Sequence, residues 1–415
     1  MFKKNIIKKN NYLIFDFGAN SGRGVIAEYD GIRFDLKSVH RFYNRPVLAT
    51  GTLYWDILRL YSELKIGLQI ALGKYRDIVS VGIDTWALDF GFIDKKGKLL
   101  ANPIHYRDKT RNSVSNELYN IISEVELFKL TGGQLVTEVS LFNLFALKKN
   151  NSTELDKAYK FMMIPDIFNY LLTGVISNEF TVSSTTLMFD QIRKVWQQEI
   201  FRRLEIPASL FNKVIDPGTK IGNISKELCN DLKIRSLSVI APTTHDTVAA
   251  TIGIPVAHKK ERWVFISIGT WCILGIETKD LILSDAVIGT GFFNEGSAEG
   301  KNLFAEDING LWIIQQCREK WMRDRVTNIS WDEIDCSFVQ AKPFKAFINP
   351  DERIFCEIQS DMPKTIIKYC KKTNQHLLES VNEISRCIYE SLALRIRYDL
   401  ETLERLKHKK TYYFI

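Results

Sequence analysis

The sequence predicts an α/β protein built from two related domains. Three observations favour this fold class: a strand–glycine turn–strand segment near the N-terminus, a similar segment about half a chain later, and a long amphipathic helix towards the C-terminus. The chain has 415 residues, enough for about two or three domains of ordinary size. We expect a first domain over residues 1–253 and a second over residues 254–415.

The first hairpin lies in the segment "NYLIFDFGANSGRGVIAEYDG". Tyr12–Phe17 is a strand-like apolar run, Gly18–Arg23 has the composition of a turn, and Val25–Tyr29 is β-prone again. A Walker loop or a dinucleotide fingerprint requires a helix after its glycines, and none is predicted here. A glycine-lined hairpin can still offer backbone N–H groups to phosphates, although many hairpins contain glycine.

The second hairpin lies in "WVFISIGTWCILGIE". Val264–Ile268 and Cys272–Ile276 are predicted strands, and Gly269 with Thr270 forms the turn between them. Because this pattern repeats that of the first hairpin, the sequence predicts a duplicated architecture.

The remaining elements follow from local patterns. Helical periodicity occurs over residues 112–175, the segment 214–222 is predicted as loop, and "SLSVIAP" at 236–242 as a strand. A long amphipathic helix is predicted from about 376 to 407. It is followed by the β-prone run "TYYFI".

Aspartates lie at the ends of predicted strands, beside glycine or threonine, at three places: Asp16, Asp84 and Asp246. Ligands of open α/β sheets bind outside the carboxyl ends of strands, so these side chains can converge on one site. An aspartate with a pKa of about 3.9 is ionised at neutral pH and can accept a proton or help to hold a hydrated Mg²⁺. Each aspartate alone could simply cap a turn. Three in matched contexts favour a functional site.

Composition excludes several other classes of protein. The net charge of +7 is spread thinly, without the basic stripe and interleaved aromatics of a nucleic-acid binder. Seven cysteines without a C-x-x-C pair argue against a disulfide framework or a zinc site. No apolar run is long enough to span a bilayer, and "MFKKNIIKKN" lacks the apolar core of a signal peptide. We therefore expect a cytoplasmic protein with neither nucleic acid nor membrane as partner.

Seven motifs occur along the chain in the order "DFGANSGR", "GIDTWALDF", "YRDKTR", "PGTKIG", "THDT", "SIGTW" and "NEGSAEGKNLFAEDINGLWIIQQCREKW". This order resembles that of the FGGY carbohydrate kinases of the actin/hexokinase-like superfamily, and among them most closely the rhamnulokinases. The resemblance covers the chain from about residue 12 to its end. It implies two duplicated, ribonuclease H-like domains with a central cleft, and an enzyme that uses ATP and Mg²⁺ to phosphorylate L-rhamnulose to L-rhamnulose 1-phosphate in L-rhamnose catabolism.

The resemblance also implies roles for individual residues. Asp246 is expected to be the general base that takes a proton from the sugar hydroxyl, flanked by the sugar contacts His245 and Thr247. Asp16 is expected to hold Mg²⁺ through water. The residues expected to contact ATP are Ala19, Asn20, Ser21, Gly22, Arg23, Thr270 and Gln315.

The chain departs from the family pattern in its expected sugar pocket. Ala87 stands where the family has glycine after "DTW", and its methyl group can crowd a sugar hydroxyl. Asp307 stands where the family has asparagine, so an acceptor-only carboxylate replaces an amide. Milder departures are Asn20, in place of serine or threonine, and Cys272, in place of serine.

In the family, the strand after the long helix leads into a "GGGS" turn that lines the adenine pocket. Here the chain ends at "TYYFI", so we expect an incomplete second domain with apolar surface and strand edges uncovered, through a frameshift or premature stop. Two alternatives to rhamnulose phosphorylation therefore stay open. One is an inactive relic or sugar-binding pseudokinase, and the other is an FGGY kinase for another ketose, such as L-fuculose or xylulose. Whether the protein is a monomer or a homodimer is left open by the sequence.

Overall fold

The computed structural model describes residues 10–256, 263–324, 329–407 and 413–414. They divide into two compact units. The first unit comprises the chain up to Pro255 together with Thr278–Asp285 and Phe293–Leu303, and the second comprises the remainder. The predicted boundary after residue 253 does not anticipate the two later segments that belong with the first unit, and it stays a prediction.

The described residues form both strands and helices. The strands, in chain order, are β1 (Asn10–Phe17), β2 (Ser21–Tyr29), β3 (Phe34–Tyr43), β4 (Val47–Ala49), β5 (Thr52–Tyr54), β6 (Ile78–Thr85), β7 (Phe90–Ile93), β8 (Lys160–Met163), β9 (Asn178–Glu179), β10 (Phe189–Asp190), β11 (Val195–Trp196), β12 (Val214–Ile215), β13 (Lys220–Asn223), β14 (Ser238–Ile240), β15 (Trp263–Ile268), β16 (Trp271–Thr278), β17 (Phe293–Gly296), β18 (Asn302–Asn309) and β19 (Tyr413–Phe414). The α-helices are α1 (Ile57–Lys74), α2 (Ser115–Ile121), α3 (Glu124–Thr131), α4 (Ser140–Lys149), α5 (Thr153–Lys157), α6 (Ile164–Thr173), α7 (Phe180–Ser184), α8 (Gln198–Leu204), α9 (Lys226–Leu232), α10 (Asp246–Ile252), α11 (Trp312–Asp324), α12 (Trp331–Gln340), α13 (Arg353–Cys356), α14 (Met362–Lys372) and α15 (Val381–Lys407). Short 3₁₀-helices occur at Lys109–Val114, Ala208–Leu210 and Asp285–Val287.

The main sheet of the first unit has the strand order β13-β14-β6-β1-β2-β3. Strands β1, β2 and β3 form an antiparallel meander, whereas β1 pairs in parallel with β6, and β6 pairs in parallel with β14. Strands β1, β6 and β14 therefore point the same way, and their carboxyl ends lie at one edge of the sheet. This edge is where ligands of open α/β sheets bind.

Strand β1 alternates between two faces. Leu13, Phe15 and Phe17 are buried, whereas Asp16 between them is half-buried on the other face. Helix α1 approaches β1 closely at Gly67, where a Cβ atom would lie 2.5 Å from the ring of Phe15. Each buried large apolar side chain contributes about 1.5–3 kcal/mol, so this packing holds the strand that carries Asp16 firmly in place.

The second unit repeats the arrangement around its own hairpin. Strands β18, β16, β15 and β19 lie side by side in that order, as β3, β2, β1 and β6 do in the first unit. Strand β15 pairs antiparallel with β16 and in parallel with β19, and β19 follows the long helix α15 as β6 follows α1. The duplicated architecture predicted from the two hairpins is confirmed.

Several boundaries differ from those predicted. The turn of the first hairpin is shorter than Gly18–Arg23, since strand β2 already begins at Ser21. Helix α15 begins at Val381 rather than near residue 376. The predicted loop at 214–222 contains β12 and the start of β13, and strand β8 interrupts the helical region 112–175. Short strands of two to four residues carry too little periodicity to be separated from loop or helix. Of "TYYFI", residues 411, 412 and 415 lie outside the described residues.

None of the helices in the described ranges combines the length and the apolar character that crossing a bilayer requires.

Candidate active site

The three aspartates singled out in the sequence converge at the carboxyl edge of the first unit's sheet. Asp16 on β1 is the register partner of Asp84 on the adjacent parallel strand β6. One residue further along, Thr85 forms a parallel bridge with His245, and its N–H donates to the carbonyl of Thr244 at 2.9 Å. Asp246 follows His245 directly as the first residue of α10. The sheet geometry therefore brings together side chains that are about 70 and 160 residues apart in the chain.

Asp84 and Asp246 differ in accessibility. The Asp84 residue is 7% exposed, whereas the Asp246 side chain is 33% exposed. Burial raises the pKa of Asp84 well above its ordinary value, and the charges of Asp16 and Asp246 raise it further. Burial also raises the pKa of Asp246, against the lowering effect of His245 and of the Thr247 N–H. Of these two carboxyl groups, Asp84 is thus the more strongly shifted towards its neutral form, and Asp246 is the more accessible.

Arg23 is an ion-pair partner of Asp16 across the hairpin. Register places the two residues opposite each other, and the arginine donates from Nε at 2.8 Å and from Nη2 at 2.7 Å to Asp16 Oδ2. The Arg23 side chain is 52% exposed, so its guanidinium also reaches solvent. Arg23 therefore belongs to strand β2 rather than to the turn where it was predicted, and it adds a positive charge at the edge where the aspartates lie.

His245 lies between two carboxylates. Its Nε2 is 3.5 Å from Asp246 Oδ1, and its Nδ1 is 3.4 Å from Glu295 Oε2. Both His245 and Glu295 are buried. Two flanking carboxylates favour the charged imidazolium. Glu295 was assigned no role from the sequence. Its position within the motif "NEGSAEGKNLFAEDINGLW" could have pointed to one.

Thr247 contacts the carboxylate of Asp246. Its N–H donates to Asp246 Oδ1 at 2.7 Å, and its hydroxyl lies 3.4 Å from the same oxygen. One oxygen of the expected base is therefore held at the first turn of α10. This orients the carboxylate before any substrate arrives.

The turn of the first hairpin is fixed from below by a buried amide. Gly18 N–H donates to Ser21 O at 2.9 Å, which leaves Ala19 and Asn20 at the tip. Asn44 is buried, and its backbone N–H donates to the carbonyl of Asn20 at 2.9 Å. Its side-chain Nδ2 donates to the carbonyl of Gly18, also at 2.9 Å. Because both carbonyls are bound from beneath, the turn has a defined shape. Sequence reasoning missed Asn44, which lies outside every motif.

Gly22 is required where it stands. A Cβ atom at this position would lie 2.2 Å from the ring of Phe42 on β3, so any other residue would displace that ring. Of the predicted phosphate contacts in this hairpin, Ala19 is half-buried, and Asn20, Ser21 and Arg23 are exposed.

The hairpin of the second unit brings two predicted nucleotide contacts together. The hydroxyl of Thr270 donates to Gln315 Oε1 at 3.4 Å, and Gln315 lies in the first turn of α11. The N–H of Leu311 donates to the carbonyl of Gly269 at 2.8 Å, which ties the start of that helix to the turn. Gly310 permits this close approach, since a Cβ there would lie 2.7 Å from the backbone nitrogen of Cys272.

In the described part of the chain, no group of three His, Cys, Asp or Glu side chains is arranged to hold a metal ion. Mg²⁺ in phosphoryl-transfer sites is typically held by one or two carboxylates, by waters and by the phosphates of the substrate. The partly exposed carboxylate of Asp16 at the sheet edge fits this kind of binding.

The sequence matches both halves of one family. Residues 11–253 match the N-terminal domain of the FGGY family of carbohydrate kinases, and residues 264–412 match its C-terminal domain. The chain belongs to the FGGY family of carbohydrate kinases. It is thus an ATP-dependent sugar kinase, a phosphotransferase, and the resemblance found in its motifs is confirmed.

Curated relatives of this FGGY kinase support the same assignment. The rhamnulokinase of Bacteroides thetaiotaomicron is 33% identical over 398 residues, which cover 96% of this chain and 80% of the relative. The rhamnulokinase of Bacillus subtilis is 30% identical, with the same coverage of both chains.

Solved structures confirm the two-domain FGGY fold. The ligand-bound xylulose kinase of Lactobacillus acidophilus superposes with a TM-score of 0.76 at 15% identity, over 95% of this chain and 78% of that one. The glycerol kinase of Plasmodium falciparum with ADP gives a TM-score of 0.70 at 17% identity, over 98% and 80%.

The two departures of this FGGY kinase from the family pattern lie in different units. Ala87 is buried among apolar side chains of the first unit, and its carbonyl accepts from the N–H of Asp89 at 2.9 Å. Asp307 lies half-buried on β18 in the second unit. Their expected contacts with a sugar remain predictions.

Proposed function

We propose that the protein transfers the γ-phosphoryl group of ATP to the terminal hydroxyl of L-rhamnulose and produces L-rhamnulose 1-phosphate, a step of L-rhamnose catabolism. The choice of sugar is supported by the relatives, which are rhamnulokinases at about one-third identity over nearly the whole chain. The observation that carries the chemistry is the position of Asp246 at the edge of the sheet. Its side chain is 33% exposed, whereas Asp84 is buried and Asp16 is paired with Arg23.

Asp246 is the general base in this proposal. Its carboxylate takes the proton of the sugar hydroxyl as the hydroxyl oxygen attacks the γ-phosphorus, and ADP leaves with the electrons of the broken P–O bond. A correctly placed base contributes about 10²- to 10⁴-fold to the rate. The Thr247 N–H holds one oxygen of this carboxylate, and the His245 imidazolium favours its ionised form.

The phosphate side is assigned to the first hairpin and the nucleotide to the second unit. Asp16 is the residue that would hold Mg²⁺, through water, and the bound ion would neutralise charge on the phosphates. Arg23 supplies a further positive charge. The proposed ATP contacts are Ala19, Asn20, Ser21, Gly22 and Arg23 in the first hairpin, with Thr270 and Gln315 in the second unit.

The proposed sugar contacts are Ala87, His245, Thr247 and Asp307. His245 and Thr247 flank the base, and a sugar hydroxyl donates to the acceptor-only carboxylate of Asp307. Ala87 narrows the pocket by one methyl group. On this assignment residues 1–253 carry the base and the phosphate hairpin, and residues 254–415 carry the nucleotide side.

The experiment that tests the proposal is ADP release from the 415-residue protein with Mg·ATP, alone and with L-rhamnulose, L-fuculose or D-xylulose. The expected result is release that depends on sugar and is fastest with L-rhamnulose. Faster release with another ketose would show that this ketose, not L-rhamnulose, is the preferred substrate of a working kinase. No release with any sugar, from folded protein that still binds L-rhamnulose, would identify a sugar-binding pseudokinase.

A further inference from the structure

A fully buried carboxylate lies beneath the segment that leads to Asp246. Glu179 caps the short helix α7, and its Oε2 accepts from the Thr181 N–H at 2.9 Å and from the Thr181 hydroxyl at 2.6 Å. The same oxygen accepts from the hydroxyl of Thr244 at 2.6 Å. Thr244 is 65 residues away in the chain and two residues before Asp246. Glu179 therefore joins the start of α7 to the strand end that carries the proposed base.

The direction of these hydrogen bonds is fixed by chemistry. The backbone N–H groups of Thr181 and Val182 donate to Oε2, so this oxygen is an acceptor, and the hydroxyls of Thr181 and Thr244 both donate to it. The Thr181 oxygen is then left as an acceptor, and it receives the N–H of Thr244 at 3.1 Å and the N–H of His245 at 3.3 Å. Through Thr181, Glu179 thus holds two successive backbone N–H groups immediately before Asp246.

The opposite side of the same segment is held by the sheet. The N–H of Thr85 on β6 donates to the carbonyl of Thr244 at 2.9 Å. Thr244 is therefore bound through its N–H, its carbonyl and its hydroxyl, and it cannot turn without breaking several hydrogen bonds. Helix α10 begins at Asp246, directly after these residues. The orientation of Thr244 and His245 therefore sets the direction in which the Asp246 carboxylate points from the edge of the sheet.

Glu179 is itself fixed by a second buried carboxyl group. Asp166 in the first turn of α6 accepts the N–H of Glu179 at 3.1 Å on Oδ1 and the amide of Asn178 at 3.0 Å on Oδ2. The other oxygen of Glu179, Oε1, is buried and has no hydrogen-bond partner among the described residues. A half-satisfied buried carboxylate costs free energy, and α7 alone does not require one, because serine, threonine or asparagine caps a helix equally well.

We propose that Glu179 is a positioning residue for phosphoryl transfer. It does not touch the substrates but holds Thr244 and His245 so that Asp246 is presented to the sugar hydroxyl. The inference rests on the proposed role of Asp246 as the base. A displacement of about 1 Å at a reacting group can cost about 10²-fold in rate, which is the scale of effect expected if this support is loosened.

The chain offers a matched control for a buried capping carboxylate. Asp108 accepts from the Thr110 N–H at 3.0 Å, from the Thr110 hydroxyl at 2.7 Å and from the distant N–H of Leu53 at 2.7 Å. Like Glu179, Asp108 binds the N–H and the hydroxyl of the threonine two residues later and one distant donor of the same unit, although it uses both of its carboxylate oxygens. Asp108 has no hydrogen bond to residues 244–246 among the bonds of the described residues.

The test compares Glu179→Gln with Asp108→Asn, each at saturating sugar and ATP and corrected for the folded fraction. We expect kcat to fall about 10- to 100-fold in Glu179→Gln, with little change in KM for ATP, and to stay within about 3-fold of wild type in Asp108→Asn. Thr244→Val should resemble Glu179→Gln, because it removes the hydroxyl at nearly constant volume. Thr244→Ser keeps the hydroxyl and should restore kcat. Wild-type kcat in Glu179→Gln, or equal losses in both carboxylate variants, would overturn the proposal.

Hydrogen exchange of the peptide around residues 240–250 gives a readout that does not depend on turnover. The N–H groups of Thr244 and His245 should exchange faster in Glu179→Gln than in wild type or Asp108→Asn. Unchanged protection of these N–H groups would contradict the proposal that Glu179 holds Thr244 and His245 in place. If wild type shows no sugar-dependent ADP release, the proposed function fails and the catalytic role of Glu179 fails with it, whatever the exchange pattern.

Discussion

Each unit of the chain contains a cluster of three carboxyl groups and one arginine, but the two arginines differ in their access to solvent. The strand-end cluster of the first unit consists of Arg23, Asp16, Asp84 and Asp246. The helix cluster of the second unit consists of Arg395, Glu306, Asp351 and Asp399. The arginine side chain is 52% exposed in the first cluster and 20% exposed in the second.

The helix cluster has the character of a structural network. Arg395 donates from Nε to Asp351 at 2.7 Å, lies 2.8 Å from Asp399 Oδ1, and also pairs with Glu306. Burial, with the charge of Asp399, raises the pKa of Glu306 to about 9, and burial raises that of Asp399 to about 6. One guanidinium therefore pairs with Glu306 of β18 and Asp399 of α15, and thereby links these two elements.

Perturbed carboxyl pKa values occur in both clusters, so they do not by themselves distinguish catalysis from structure. The carboxylates overlap in exposure, since the side chains of Asp246 and Asp351 are 33% and 29% exposed. The distinguishing feature is the arginine, which is 52% exposed in the strand-end cluster and 20% exposed in the helix cluster. The strand-end cluster also lies where sheet geometry places ligands. The comparison teaches that accessibility and position, added to charge, identify the candidate active site.

The largest expected effect tests that distinction directly. Asp246→Asn should lower sugar-dependent ADP release about 10²- to 10⁴-fold while sugar binding, measured by calorimetry, is largely kept, because the amide cannot accept the proton. Asp399→Asn should leave kcat per folded molecule within about 2-fold. Turnover that survives in Asp246→Asn would show that Asp246 is not the base. A loss of kcat in folded Asp399→Asn would show that the helix cluster is not purely structural.

The two arginines should separate stability from activity. Arg395→Met leaves buried carboxyl groups without their cation and should lower the free energy of unfolding by about 3–5 kcal/mol. Arg23→Met removes a partly exposed ion pair and should lower it by at most about 1 kcal/mol, while KM for ATP rises. Denaturant unfolding and initial rates measure both quantities. A large stability loss in Arg23→Met would show that the strand-end cluster is also mainly structural.

His245 should set the acid limb of the pH profile. Asp246 must be ionised to accept a proton, so kcat falls as pH falls through its pKa, which burial has raised. The charge of His245 lowers that pKa. In His245→Gln this effect is lost, so the acid limb of kcat at saturating sugar should move to higher pH. A limb that stays in place or moves to lower pH would exclude the electrostatic role of His245.

Local sequence patterns predicted the elements that carry the site. The hairpin at Asp16, the strand that ends at Asp84 and the strand before Asp246 follow from apolar runs and turn residues, and all three are confirmed as elements. The pairing of Asp16 with Arg23 was within reach of the sequence, because residues symmetric about a tight turn face each other. The pairing was not predicted, because the predicted turn, Gly18–Arg23, included Arg23 itself, whereas β2 begins at Ser21.

Contacts between distant segments could not be predicted in this way. Glu179 lies 65 residues from Thr244, and Glu306 lies 89 residues from Arg395. Asn44 reaches the carbonyl of Gly18 across 26 residues. Periodicity and turn composition report only on neighbours in the chain, whereas these contacts arise from the packing of whole elements. They were visible only once the strand order and the helix positions were known.

The finest test concerns the carboxylate behind His245. Glu295 Oε2 lies 3.4 Å from His245 Nδ1, so its charge favours the imidazolium that in turn lowers the pKa of Asp246. In Glu295→Gln the imidazole is more often neutral, and the acid limb should move to higher pH, as in His245→Gln but by a smaller amount. Because the imidazole itself is retained, KM for the sugar should change less than in His245→Gln. If the acid limb of Glu295→Gln coincides with that of wild type, Glu295 only packs against His245. The effect of His245 on the pKa of Asp246 then does not depend on the charge of Glu295.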